Sequence, residues 1–265
     1  MGHLAAFDWL TKKLHFEVNV TESIHDVCYL DNEQKIAVAQ KKWVYTYDNE
    51  GIETHCIKKL DNIIKMEYLP YHCLLCTGSE KGFISWLDIT VGAEIIQFPT
   101  MKGPLQIMRQ NPYNAVMCCG HNNGTVTMWT PNTKEPVASM LCHSQPIRAL
   151  EVDHTGKYLA TASTDRLIKL WDARNLGTCL HSYKVSPGAN NLAFSQKGLL
   201  AVSMNNVVEV YKGVLTGGES YPYMRQTENF TVKGLQFCPY EDVLGVSTYK
   251  GFCSLVIPGE YIVDI

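Results

Sequence analysis

Charge of either sign is scarce in this chain. Lysine and arginine number 23 against 26 aspartates and glutamates, so the formal charge is −3 and charged residues make up 18% of the sequence. That balance gives no global electrostatic drive toward nucleic acid, and any such contact must come from a local patch. No apolar run approaches the ~20 residues that a membrane helix needs. Low-complexity tracts and breaks in composition are missing too, which argues for a single domain without a linker. The Gly-rich phosphate loop, G-x-S-x-G, H-E-x-x-H and the Asp-rich calcium loop are all lacking, so no cofactor, metal or small-molecule substrate is expected. The start, MGHLAAFDWLTKK, carries no secretory pattern because Asp8 breaks the apolar stretch, and Ala6 stands where a myristoylation motif wants Ser or Thr. The expectation is an intracellular chain.

What is present is apolar: 46% of residues, ample for one core. The ten cysteines are scattered through strand-like runs rather than spaced as a disulfide framework. Cys73 and Cys76 have C-x-x-C spacing, but on a strand residues three apart point to opposite faces, so core packing is expected rather than zinc. Asn19, Asn123 and Asn229 open glycosylation sequons that read as chance matches.

The stretch from His143 to Asp172 shows how the chain is organised. Ile147–Val152 and Lys157–Ala162 flank the turn Asp153-His154-Thr155-Gly156, and Leu167–Trp171 follows a turn at Thr164-Asp165. Short runs rich in β-branched and aromatic residues, punctuated by Asp/Gly turns, read as antiparallel strands. With Thr178–Val185 as a fourth strand, the unit reads as one propeller blade closing on Trp171-Asp172. The same slot recurs at Phe7-Asp8, Tyr47-Asp48, Leu87-Asp88, Trp129-Thr130 and Tyr211-Lys212, in steps of about 40 to 42 residues. Val256 is the expected last member, five residues after Gly251 as Leu87 follows Gly82 and Trp129 follows Gly124.

These spacings predict an all-β propeller of the seven-bladed type over residues 1–259, with six full blades preceded by a slot strand at Leu4–Trp9 and an outer strand at Leu14–Val20. The two inner strands of that first blade are not expected, so the chain reads as beginning inside its own fold and exposing an edge prone to self-association. A longer outer loop is expected at Leu215–Tyr223, and residues 260–265 read as an atypical end.

The blade around Trp171 resembles the WD-repeat family. In that family Trp, a hydroxyl residue, His and Asp form a hydrogen-bonded relay, which the resemblance assigns here to Trp171, Thr161, His143 and Asp165. The competing reading of His143, Asp165 and a hydroxyl is a nucleophilic triad. The structural relay is preferred, because buried polar groups must be paired. Three Lys pairs also stand out. Turns between second and third strands share a rim with the links between blades, so Lys41, Lys42, Lys58 and Lys59 are expected on one face and Lys12-Lys13 on the other. The four form a candidate RNA or partner rim, against the plainer reading of solvated turns.

More specific strings narrow the family. FDWLTKKL (7–14), YDNEGIETHCIKK (47–59), QNPYNAV (110–116), GHNNGTVTMW (120–129), NLAFSQKGLLAV (191–202) and GLQFCPYEDVLGV (234–246) resemble the nucleolar WD-repeat family of the U3 small nucleolar ribonucleoprotein, part of the small-subunit processome. The resemblance implies a non-catalytic scaffold in maturation of 18S rRNA. It also implies nucleolar residence, other processome proteins as partners, and U3 or pre-rRNA contacted directly or through them. It further implies upstream strands and a basic C-terminal tail that are not seen in this sequence. A generic WD-repeat adaptor, such as a substrate receptor of a ubiquitin ligase, is the alternative.

Overall fold

The computed structural model describes residues 2–8, 11, 13–30, 34–217 and 221–258. Trp9, Lys12 and residues 260–265, about which the sequence raised expectations, lie outside that set, as do residues 218–220 of the expected outer loop.

Among the described residues, seven antiparallel sheets follow one another. The first is the pair β1 (Gly2–Asp8) and β2 (Lys13–Val20). Next comes a four-stranded sheet of β3 (Ile24–Tyr29), β4 (Lys35–Gln40), β5 (Val44–Asp48) and β6 (Glu53–Ile57). The third holds β7 (Ile63–Leu69), β8 (Leu74–Ser79), β9 (Phe83–Asp88) and β10 (Ala93–Pro99). The fourth holds β11 (Leu105–Gln110), β12 (Met117–His121), β13 (Thr125–Trp129) and β14 (Ala138–Leu141). The fifth is β15 (Ile147–Val152), β16 (Tyr158–Ser163), β17 (Leu167–Asp172) and β18 (Asn175–Lys184). The sixth is β19 (Asn191–Phe194), β20 (Leu200–Met204), β21 (Val207–Tyr211) and β22 (Met224–Thr227). The seventh has three strands among the described residues, β23 (Val232–Phe237), β24 (Val243–Thr248) and β25 (Gly251–Val256).

The innermost strands β3, β7, β11, β15, β19 and β23 each pack against the next, which makes the array a propeller. Apolar clusters fill the spaces between neighbouring sheets. Trp86, Phe98, Leu105, Met108 and Trp129 join the third and fourth sheets, with the Trp86 and Trp129 indoles meeting Phe98 edge-on and stacked. Trp171 packs with Ile107, Cys118, Val126 and Leu159 between the fourth and fifth. Trp129 and Trp171 are 2% and 7% exposed, and replacing either with Ala would cost about 3–5 kcal/mol.

A slot side chain on the third strand always points back toward the preceding sheet, so its burial depends on that neighbour. Tyr47 is covered by Leu4, Ala6 and Phe16 of the first pair. Phe7 occupies the same slot in β1, where a bulge between Ala6 and Phe7 matches that between Thr46 and Tyr47. No described sheet precedes β1, and Phe7 is 52% exposed.

The last slot departs from expectation. Leu244 is the β24 counterpart of Leu159 and Leu200, and it pairs with Leu255, not Val256. Leu255 packs into the core while Val256 points the other way and is 67% exposed. The cause is the turn: only Tyr249 and Lys250 separate Thr248 from Gly251, whereas three residues separate Ser79 from Phe83. With one residue fewer, the slot arrives one position sooner after the glycine, and a one-residue slip moves a side chain to the opposite face. Cys73 also differs from the strand reading, since it sits in the turn before β8 at φ +52° while Cys76 is buried within the strand.

Candidate functional site

The fifth sheet places the four relay residues within bonding distance of each other. β17 carries Trp171, whose Nε1–H donates to Thr161 Oγ1 on β16 at 3.1 Å. Thr161 Oγ1 lies 2.9 Å from His143 Nε2, and His143 Nδ1 lies 2.8 Å from Asp165 Oδ2 in the turn after β16. Burial holds the His143 pKa below its ordinary value despite Asp165, so the ring is neutral. A neutral ring satisfies every group: Trp171 donates to Thr161, Thr161 to His143, and His143 to Asp165. Asp165 Oδ1 also accepts Leu167 N–H at 2.9 Å, which ties the chain to its own turn. The donor order is that of a hydrolytic triad, but Thr161 is 0% exposed and one of its lone pairs is taken by an indole. The arrangement staples a turn to two strands.

Other sheets pin their slot residues differently, which explains why the motif fades. Tyr47 OH accepts from Gln40 Nε2 at 2.7 Å, and Tyr211 OH donates to Glu209 Oε2 at 2.6 Å. In the fourth sheet Trp129 Nε1–H donates to Thr127 Oγ1 at 2.9 Å, which lies 2.7 Å from His121 Nε2. Burial lowers the His121 pKa to about 4. The sequence held the signal for this second relay: Thr127 and Trp129 are two apart on one strand and so share a face. The Asp after the slot caps the following turn, as Asp88 does for Thr90 N–H at 2.8 Å and Asp172 for Arg174 N–H at 2.9 Å.

The four candidate rim lysines fall in two adjacent segments. Lys41 and Lys42 lie in the turn between β4 and β5, and Lys58 and Lys59 in the link between β6 and β7. Asn62 N–H donates to Lys42 O at 3.1 Å, joining link to turn. Lys42 Nζ and Lys58 Nζ lie 4.6 and 5.4 Å from the centroid of the Trp43 ring. Lys59 lines a neighbouring cleft of about 190 Å³ with Asp61, Ser79, Lys81 and Gln97. Trp43 was not singled out from the sequence, although it directly follows the lysine pair.

Residues 134–172 match the WD domain, G-beta repeat, and residues 222–261 match the BING4CT (NUC141) domain. WD repeat-containing protein 46 of Mus musculus is 47% identical over 97% of this chain, and that of Homo sapiens is 46% identical over the same share. U3 small nucleolar RNA-associated protein 7 of Saccharomyces cerevisiae is 38% identical, again over 97% of the chain. This propeller belongs to the WD repeat-containing protein 46 family. The chain spans 42%, 43% and 50% of the length of those three relatives. Among solved structures, the beta-propeller domain of Myceliophteria thermophila Cps50 (Swd1) superposes with a TM-score of 0.81 over 97% of this chain and 91% of its own, at 16% identity, a likeness of fold alone.

One further cluster of this family member was not legible beforehand. Arg109 on β11 reaches Glu67 of β7 through Nη1 at 2.7 Å and Glu151 of β15 through Nε at 2.8 Å. Three consecutive inner strands are thereby held by one guanidinium. Burial pushes the Glu151 pKa up to about 7 and raises that of Glu67, while the two carboxylates raise that of Arg109. Asp26 and Lys65 continue the line at 3.2 Å. Among the described residues no group of three or more His, Cys, Asp and Glu side chains could hold a metal ion.

Proposed function

We propose that the chain is a non-catalytic scaffold in biogenesis of the small ribosomal subunit. It works in the nucleolus within the small-subunit processome, alongside other processome proteins and U3 or pre-rRNA. The match of 97% of the chain to a yeast relative whose name associates it with U3 small nucleolar RNA carries this reading. The buried relay supports it from the chemistry, since Thr161, the hydroxyl a nucleophilic reading requires, is sealed in the core. A propeller supplies instead two rims and an outer surface for partners, though fold alone does not choose among them. Affinity purification of the tagged chain from nuclei tests the proposal. Recovery of U3 RNA with processome proteins is the expected result, and enrichment of a cullin assembly without U3 would replace it with the adaptor reading.

A further inference from the structure

Resting on that reading, we infer that one arc of the rim grips RNA directly by its phosphates, through Lys41, Lys42, Lys58, Lys59 and Lys81, with Trp43 positioning two of the ammonium groups. The arc is continuous. Asn62 N–H donates to Lys42 O at 3.1 Å and Glu80 N–H donates to Asn62 O at 3.0 Å, so the turn at 41–43, the link at 58–62 and the turn at 80–82 are hydrogen-bonded in a row. All five lysines are exposed, and the arc's only carboxylates are Asp61 and Glu80. Among the described residues none of the five has an ion-pair partner, whereas Lys65 and Lys197 elsewhere each meet an aspartate. A chain of net charge −3 thus gathers a local positive excess and leaves it unneutralised.

Trp43 gives this patch a built character. Two ammonium groups lie over one half-buried indole, at 4.6 and 5.4 Å from its centroid, which restrains them against their mutual repulsion. Ordering them beforehand lowers the entropy lost when an anion binds. The cations of this arc are lysines alone, point charges without the planar fork that reads a base edge, so a backbone grip with little sequence preference follows. The adjoining cleft sets the exposed Gln97 and the Asp61 carboxylate beside Lys59 and Lys81, groups that can accept from sugar hydroxyls next to the cations.

The test uses the full chain and a labelled 20-nucleotide single-stranded RNA in anisotropy titrations from 50 to 200 mM KCl. Each phosphate neutralised on a single strand contributes about 0.7 to the slope of log K against log[salt], so contact by all five lysines gives a slope near −3.5. Replacing all five with Gln is expected to remove about that slope and to weaken binding at least ~10-fold at 100 mM KCl. Trp43→Leu, with every lysine retained, is expected to weaken binding about twofold to fivefold at unchanged slope, and Trp43→Phe to restore most of it. Lys134→Gln with Lys157→Gln, on the opposite rim, should change neither. Unchanged affinity and slope in the five-lysine variant overturn the inference, as does a poly-glutamate peptide binding this arc where RNA does not. Purified chain that binds no RNA, while the tagged chain still recovers the processome, overturns this inference and leaves the scaffold proposal standing. Failure to recover U3 with an intact RNA grip does the reverse.

Discussion

Thr161→Val is the sharpest perturbation of the relay. Valine keeps the shape of threonine and its β-branching, so the strand and its packing are preserved and only the hydroxyl is lost. Two buried partners are then stranded: the Trp171 N–H, which donated at 3.1 Å, and His143 Nε2, which accepted at 2.9 Å. Leaving a buried polar group unsatisfied costs about 1–3 kcal/mol each. Partial relaxation of the indole toward the surface, where Trp171 is 7% exposed, places the expected loss at about 2–4 kcal/mol. For a chain of this size, where 1 kcal/mol is worth about 2 °C, that lowers the melting temperature by roughly 4–8 °C. Urea denaturation followed by tryptophan fluorescence and circular dichroism would report it as a lower midpoint at unchanged slope. Trp171→Phe in the Thr161→Val background removes one stranded group, so the double variant should lose less than the sum of the singles, with a coupling of about 1 kcal/mol. A Thr161→Val chain within about 0.5 kcal/mol of the parent, or strictly additive singles, would refute the structural role of the relay.

Acid should destabilise the fold through its buried histidines. A pKa lowered to about 4 in His121 makes its contribution complete above about pH 6.5 and lost progressively down to about pH 4, by up to ~3 kcal/mol; His143 acts in the same direction, and His121→Asn should flatten that limb of a stability–pH curve. Arg109→Met should destabilise more at pH 8 than at pH 5, because Glu151, pushed up to about 7, is left as an uncompensated carboxylate near Glu67 at the higher pH and is protonated at the lower; urea midpoints at the two values would decide. Gly124→Ala should cost more than 2 kcal/mol by thermal melting, since φ is +78° and a Cβ would strike the His143 carbonyl, whereas Gly103→Ala at φ +85° meets nothing and carries backbone strain of only about 1 kcal/mol. Phe7→Lys combined with Val256→Lys should reduce concentration-dependent association in sedimentation experiments without lowering stability, since both side chains face away from described neighbours.

Legibility in the sequence followed the strength of the period. Trp129, Trp171, Tyr47, Leu87 and Tyr211 could be aligned because burial between sheets demands a large side chain at a fixed step, whatever caps it. The period failed at Val256, where a turn shortened by one residue shifted the slot to Leu255; such a change is invisible without knowing which residues pair. Phe7 shows what an alignment leaves out, because it identifies a slot but not the neighbour that covers it. His121 and Thr127 escaped notice because their relay runs within one strand and its partner, not across the turn as in the fifth sheet. Contacts between neighbouring blades were the hardest to see. Arg109 lies 42 residues from each of its carboxylates, one repeat away on either side, and nothing local marks the three as a set. Trp43 gathers Lys42 from its own turn and Lys58 from the next link; strand topology predicts their common rim, but nothing in the sequence marks the indole as their shared contact.

The scaffold role is tested most directly by acute depletion of the protein in its own cells, with mature 18S rRNA measured against the large-subunit rRNA. A fall in 18S with the large-subunit rRNA maintained, reversed by re-expression, is the expected result. An unchanged ratio after full depletion would contradict a place in small-subunit assembly.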